Sequence, residues 1–134
     1  MILDASVIAK WFLEEEGTEK ALEIREKYIQ DEFDISVPDL LIYELANTLK
    51  YSKFSSAEID RAISTIYSMD LFIVDPSQNI MRKASEIAIN KEVSIYDATY
   101  VALAHQLSTD LITSDKPLYR KTKDPYDVKY LLNL

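Results

Sequence analysis

Cysteine is absent from this 134-residue chain, and glycine occurs once, at Gly17. The first absence excludes a disulfide framework, iron–sulfur ligation and a thiol nucleophile, and it agrees with a reducing compartment. The second excludes loops that need repeated glycines: a Walker loop, a dinucleotide fingerprint or a nucleophile elbow. The one histidine, His105, lies eight residues beyond Asp97 in a helical pattern, roughly 12 Å along an axis that rises about 1.5 Å per residue. It reads as structural, so a serine hydrolase triad has no evident base. No apolar run approaches the roughly 20 residues that cross a bilayer, and a strand pattern begins at once, which leads us to expect a cytoplasmic protein without a leader. Basic residues are also outnumbered, with 15 Lys and Arg against 23 Asp and Glu and a formal charge of −8. On its face that balance opposes nucleic-acid binding, since phosphate contacts favour a basic surface.

What is present suits one domain over residues 1–134. Hydrophobic residues make up 48% and charged residues 28%, enough apolar content for a real core. A strand pattern covers 1–4, a helical one runs from Ser6 to Leu13, and a second helix runs from about Thr18 to Gln30. Ile35-Ser36-Val37 is a short strand, after which Pro38 suits the first position of a helix reaching about Tyr51. Ser55 and Glu58 stand in capping-box register for the next helix, and Leu71 to Val74 form a strand closed by Asp75-Pro76. Helices from Ser77 to about Asn90 and from Ser94 to about Leu107 follow. Strands over Leu111 to Ser114 and Val128 to Leu132, with a short helix between, complete the chain. Such alternation predicts an α/β fold with a mostly parallel sheet covered on both faces.

Four acids stand where acids are costly. Asp4 and Asp115 each close a short apolar run, Met1-Ile2-Leu3 and Leu111-Ile112-Thr113-Ser114, at the strand ends where α/β sheets place ligand sites. Asp4 also reads as a junction residue, with Ser6 capping the following helix, and Asp115 as a turn residue before Pro117. Glu44 borders the apolar stripe of Leu41, Ile42, Leu45 and Leu49, a position that suits a cleft wall or a glutamate reaching for water. Asp97 opens a helix, Ala98 to Ala104, that is apolar nearly all round, and it shares capping-box spacing with Ser94.

A divalent metal would account for all four together. Carboxylates about 4 Å apart repel by roughly 4 kcal/mol per pair at an effective dielectric of 20, which a cation relieves. With no histidine or cysteine alongside, oxygen ligation favours Mg²⁺ or Mn²⁺ over zinc, and one or two such ions activate water and stabilise the leaving oxygen of a phosphodiester. Bound cations would also turn a repulsive spot into a phosphate-attracting one.

The order and setting of these acids resemble the PIN-domain ribonucleases, particularly the VapC-type toxins of prokaryotic toxin–antitoxin pairs. The likeness spans essentially the whole chain. It rests on Ile2 to Phe12, on Pro38 with Tyr43-Glu44-Leu45-Ala46-Asn47, on Ser94-Ile95-Tyr96-Asp97 through Ala104, and on Leu111 through Leu118. The resemblance implies a three-layer α/β/α sandwich with a five-stranded sheet. It implies Asp4, Glu44, Asp97 and Asp115 as a catalytic, metal-binding quartet for Mg²⁺ or Mn²⁺, with Ser6 and Thr113 orienting the acids by hydrogen bonds. Some relatives carry a further acid or amide after the last aspartate, where this chain has Lys116 and Pro117.

The same resemblance implies an RNA substrate, a homodimer and a small antitoxin partner whose tail fills an apolar groove. Trp11, Phe12, Leu13, Tyr51 and Phe54 are groove or dimer candidates, with core as the alternative for Trp11 to Leu13. Lys10, Lys116 and Arg120, with Lys121 and Lys123, are candidates for RNA phosphates, or plain surface charge. Glu14-Glu15-Glu16 reads as a solvated loop face. The expectation is therefore a metal-dependent endoribonuclease acting as a toxin. The alternative is a non-catalytic module that binds RNA or protein through its acidic cleft. An aspartyl-phosphate phosphatase fits least, because its second aspartate would stand where Ser6 does.

Overall fold

The structure, a computed structural model, describes residues 1–134. Five strands form one sheet: β1 (Ile2–Leu3), β2 (Ser36–Pro38), β3 (Phe72–Val74), β4 (Leu111–Thr113) and β5 (Val128–Tyr130). They lie in the order β3-β2-β1-β4-β5, all parallel. Seven helices cover the faces: α1 (Ala5–Ile8), α2 (Thr18–Ile29), α3 (Leu40–Tyr51), α4 (Ser56–Ser68), α5 (Gln78–Lys91), α6 (Ile95–Gln106) and α7 (Lys116–Thr122). This is the α/β sandwich the sequence predicts.

Strand alternation builds two cores. Ile2 and Leu3 are both fully buried, yet they belong to different hydrophobic clusters, as do Leu111 and Ile112. Successive strand side chains point to opposite faces, so two adjacent apolar residues serve two layers. Each such side chain contributes about 1.5–3 kcal/mol on burial. On one face Leu3 meets the α3 stripe of Leu41, Leu45 and Leu49; on the other, Ile2 and Leu111 meet α6. Every residue of α6 from Ala98 to Ala104 is buried, which is why its sequence is apolar all round.

Central β1 has β2 on one side and β4 on the other. The chain therefore runs from β1 outward through β2 to β3 and then crosses back to β4 on the other side of β1, and a crevice opens beyond the carboxyl ends of the strands where the order reverses.

Two local expectations are corrected. Pro38 ends β2 rather than starting a helix; Asp39 precedes α3, which begins at Leu40. The Ser36 N–H donates to the Met1 carbonyl, so the next donor on that side falls at position 38, where proline has none. Pairing of β1 with β2 accordingly stops at Ile2 and Ser36. The helix expected from Ser6 to Leu13 is a single α-turn, Ala5–Ile8, followed by a 3₁₀ turn, Ala9–Trp11. The tighter turn buries Trp11, whose indole N–H donates to the Ala21 carbonyl at 2.9 Å. Trp11 is thus core, not groove.

Gly17, just before α2, has φ +88, a left-handed conformation that side chains disfavour. A Cβ there would lie 3.2 and 3.3 Å from the Leu131 and Leu132 side chains and 3.4 Å from Lys10 Cε.

Candidate active site

Asp4 leaves β1 in an extended conformation and caps α1, its Oδ1 accepting from the Val7 N–H at 3.3 Å. Ser6 therefore does not cap that helix. Its hydroxyl, inside the first turn, donates to Asp4 Oδ1 and accepts from the Ser114 N–H at 2.9 Å. Thr113, fully buried at the end of β4, donates to Asp4 Oδ2 and accepts from the Asp115 N–H at 3.0 Å. Hydroxyls thus tie the ends of the two central strands together around one carboxylate. Asp115 caps α7 through Oδ1, which accepts from the Leu118 N–H at 3.0 Å. Both strand-end aspartates are helix caps and cleft residues at once.

Glu44 enters from α3 and Asp97 from the first turn of α6, both half-buried. The Tyr100 hydroxyl donates to Glu44 Oε1 at 2.7 Å. Ser94 accepts from the Asp97 N–H at 3.0 Å, one half of a capping box, and Asp97 lines the cleft. All four acids line one cavity of about 410 Å³, with Ser6, Tyr100 and Ser114 between them and Lys10 and Glu15 on one wall.

Electrostatics follow from burial and crowding. Asp4, 5% exposed, is pushed from 3.8 up to about 6 because burial outweighs its hydrogen bonds from Ser6, Thr113 and the Val7 N–H, and the Asp97 charge adds to the rise. Glu44 is raised by burial and by Asp97, against the Tyr100 hydrogen bond. Asp97 is raised by burial and by Asp115, with Ser94 and Lys121 opposing. Burial and the neighbouring Glu44 hold the Tyr100 phenol well above its ordinary range, so it remains a donor. None of the four acids forms an ion pair with a Lys or Arg.

An all-oxygen donor set, unpaired with any cation of the chain and with Asp4, Glu44 and Asp97 made more basic chiefly by burial, has the chemistry of a hard divalent site. As the side chains lie, no three acids stand close enough to hold an ion.

Of the other expected residues, Lys10 lines the cavity, whereas Lys116 and Arg120 are exposed on α7 outside it. Lys121 donates to the Glu92 carbonyl at 2.9 Å, and Lys123 lies 5.5 Å from the Tyr119 ring centroid. Glu14, Glu15 and Glu16 are all exposed, as a solvated loop face requires, and Glu15 in addition borders the cleft and pairs with Lys10 at 2.8 Å. Phe12 and Phe54 share a shallow groove of about 230 Å³, Leu13 packs on the core, and Tyr51 is 76% exposed. Tyr100 and Ser114 carry no role in the sequence reading. A buried tyrosine needs a partner for its hydroxyl, and its place one turn after Asp97 was the available signal.

A family model described as PIN domain matches residues 1–124. The chain is 30% identical over 126 residues to Ribonuclease VapC3 of Pyrobaculum aerophilum, an alignment covering 90% of this chain and 93% of that protein. It is 27% identical over 111 residues to Exonuclease VapC9 of the same organism, covering 80% and 81%. Among solved structures, a toxin–antitoxin complex from Klebsiella pneumoniae superposes with a TM-score of 0.72 at 17% identity, covering 97% of this chain and 96% of that one. With its parallel sheet and its acid-lined cleft, the chain belongs to the PIN domain family.

Proposed function

We propose that the protein is a Mg²⁺- or Mn²⁺-dependent endoribonuclease, the toxin of a VapBC-type pair, with Asp4, Glu44, Asp97 and Asp115 as its metal-binding, catalytic acids. The observation that carries this is the meeting of four carboxylates, none paired to a cation, in one cavity at the switch point of the sheet. A divalent ion supplies Lewis acidity that activates water and stabilises the leaving oxygen. The chain's own residues set the geometry. Ser6 and Thr113 fix the Asp4 rotamer, Tyr100 holds Glu44, and the capped start of α6 fixes Asp97. Lys116 and Arg120, on the exposed face of α7, are placed for backbone phosphates outside the cleft.

A cognate antitoxin, a homodimer and a cytoplasmic setting belong to the same proposal. No helix is long and apolar enough to cross a membrane.

Purified protein should cut a covalently closed single-stranded RNA circle with Mg²⁺ or Mn²⁺ and stop with EDTA. A circle left intact while linear RNA is shortened from an end would replace the endonuclease with an exonuclease. A non-catalytic binding module is favoured by one observation, the spread of the acids beyond ligating distance. Calorimetric titration of Mn²⁺ decides it: binding that disappears in Glu44→Gln and Asp115→Asn supports the nuclease, and no binding in the wild type supports the module.

A further inference from the structure

Among the residues that line the acid cleft, Lys10 alone is basic. It sits on the 3₁₀ turn after α1, 8% exposed, a burial that lysine accepts only with a counter-charge. Glu15 supplies it at 2.8 Å, from a side chain still 44% exposed. The loop between them is held in shape. The Thr18 hydroxyl donates to the Leu13 carbonyl at 2.7 Å and accepts from the Glu15 N–H at 3.0 Å. The two partners are therefore unequal, with the lysine stem packed in place and the glutamate at the water boundary.

Lys10 is not consumed by the four acids. The charges that act on Asp4, Glu44 and Asp97 are those of one another, of Asp115 and of Lys121. Its only anionic partner is Glu15. The glutamate half of the pair is open to solvent, so an incoming anion can reach the ammonium from the cleft side. Another anion can take that carboxylate's place while the buried lysine stays counter-charged, and a phosphodiester entering this cleft meets no other cation of the chain along its walls.

We propose that Lys10 receives a backbone phosphate of single-stranded RNA in the cleft, and that Glu15 is a displaceable counter-anion which parks the ammonium there and weakens binding until the phosphate takes its place. This rests on the nuclease reading and adds to it a substrate-positioning residue with a built-in competitor.

Binding of a labelled single-stranded RNA oligonucleotide, followed by fluorescence anisotropy in EDTA across a KCl series, tests it, together with KM and kcat for cleavage in Mg²⁺. Loss of one phosphate contact lowers the slope of log K against log salt by about 0.7 for a single strand. Lys10→Met should show that drop with a several-fold higher KM and a smaller change in kcat. Lys10→Arg should restore the slope, and Glu15→Gln should bind more tightly than wild type. The inference is overturned if Lys10→Met melts earlier but keeps the wild-type slope and KM, or if Glu15→Gln binds more weakly. Wild type that cuts RNA alongside such a Lys10→Met leaves the nuclease reading standing, whereas wild type that neither binds nor cuts RNA overturns both.

Discussion

Where the strands begin, two charged groups find partners: Asp110 stands 2.6 Å from Lys129, and the Met1 ammonium donates to the Asp34 carbonyl at 2.8 Å. Where the strands end, Asp4, Glu44, Asp97 and Asp115 meet hydroxyls and backbone N–H groups only. The other acids where the strands begin, Asp34, Asp70 and Asp127, are unpaired but exposed, so pairing and water close that edge electrically, while the edge where the strands end is left open. The open edge is also the more buried, so its acids pay for their position in desolvation, as the rise of Asp4 to about 6 shows. Fold stability alone would favour the arrangement at the other edge. The difference marks where negative charge is retained for something outside the chain.

Breaking the open edge should have the largest effect. Asp97→Asn is expected to lower RNA cleavage about 100-fold or more, while the metal-free protein melts no earlier than wild type because a repelling charge has gone. Cleavage assays beside thermal melts in EDTA check both halves; retained cleavage would remove Asp97 from the site.

Next is pH. Between 3.8 and about 6 the folded protein keeps a proton on Asp4 that the unfolded chain has released. Stability of the metal-free protein therefore falls as pH rises through that window, by up to about 3 kcal/mol from this group. Urea titrations in EDTA at several pH values, compared with Asp4→Asn, isolate the contribution: the wild type should lose more between pH 4.5 and 7.

A smaller step follows from the hydroxyls. Tyr100→Phe removes the donor to Glu44 and is expected to reduce Mn²⁺ affinity and cleavage by about 10- to 100-fold. Calorimetry separates a weaker ion from slower chemistry.

Smallest is the closed edge. Asp110→Asn should cost about 0.2–1 kcal/mol, the range for an exposed ion pair, with cleavage at the wild-type rate. A loss of activity there would end the contrast between the edges.

Much of this was legible in the sequence because local and tertiary signals agree. Asp4 and Asp115 close apolar runs that can only be buried strands, and α6 is apolar on every face because it is covered on every face. The capping box at Ser55 and Glu58 forms as its spacing predicts. Other features escaped for physical reasons. Asp4 and Ser6 are both good caps, and only the hydroxyl network around β4 decides which residue has that role. Pro38 suits a helix start and a strand end equally, until its missing N–H is set against β1. The Lys10–Glu15 pair spans a loop, where no periodicity links the partners, and Tyr100 is one of nine tyrosines, singled out only by folding against Glu44.

Loops of this kind ordinarily accept added residues. The segment from Leu13 to Thr18 is an exception. A left-handed Gly17 lies against Leu131, Leu132 and Lys10, Thr18 bridges Leu13 and Glu15, and Glu15 reaches Lys10. One inserted residue would break the Thr18 bridge and swing Glu15 away from the cleft, and any side chain at 17 would press on the C-terminal turn and the lysine stem together. This surface loop is thus length-locked, and duplication or shortening during sequence drift should be absorbed elsewhere, for instance at the turn between α3 and α4.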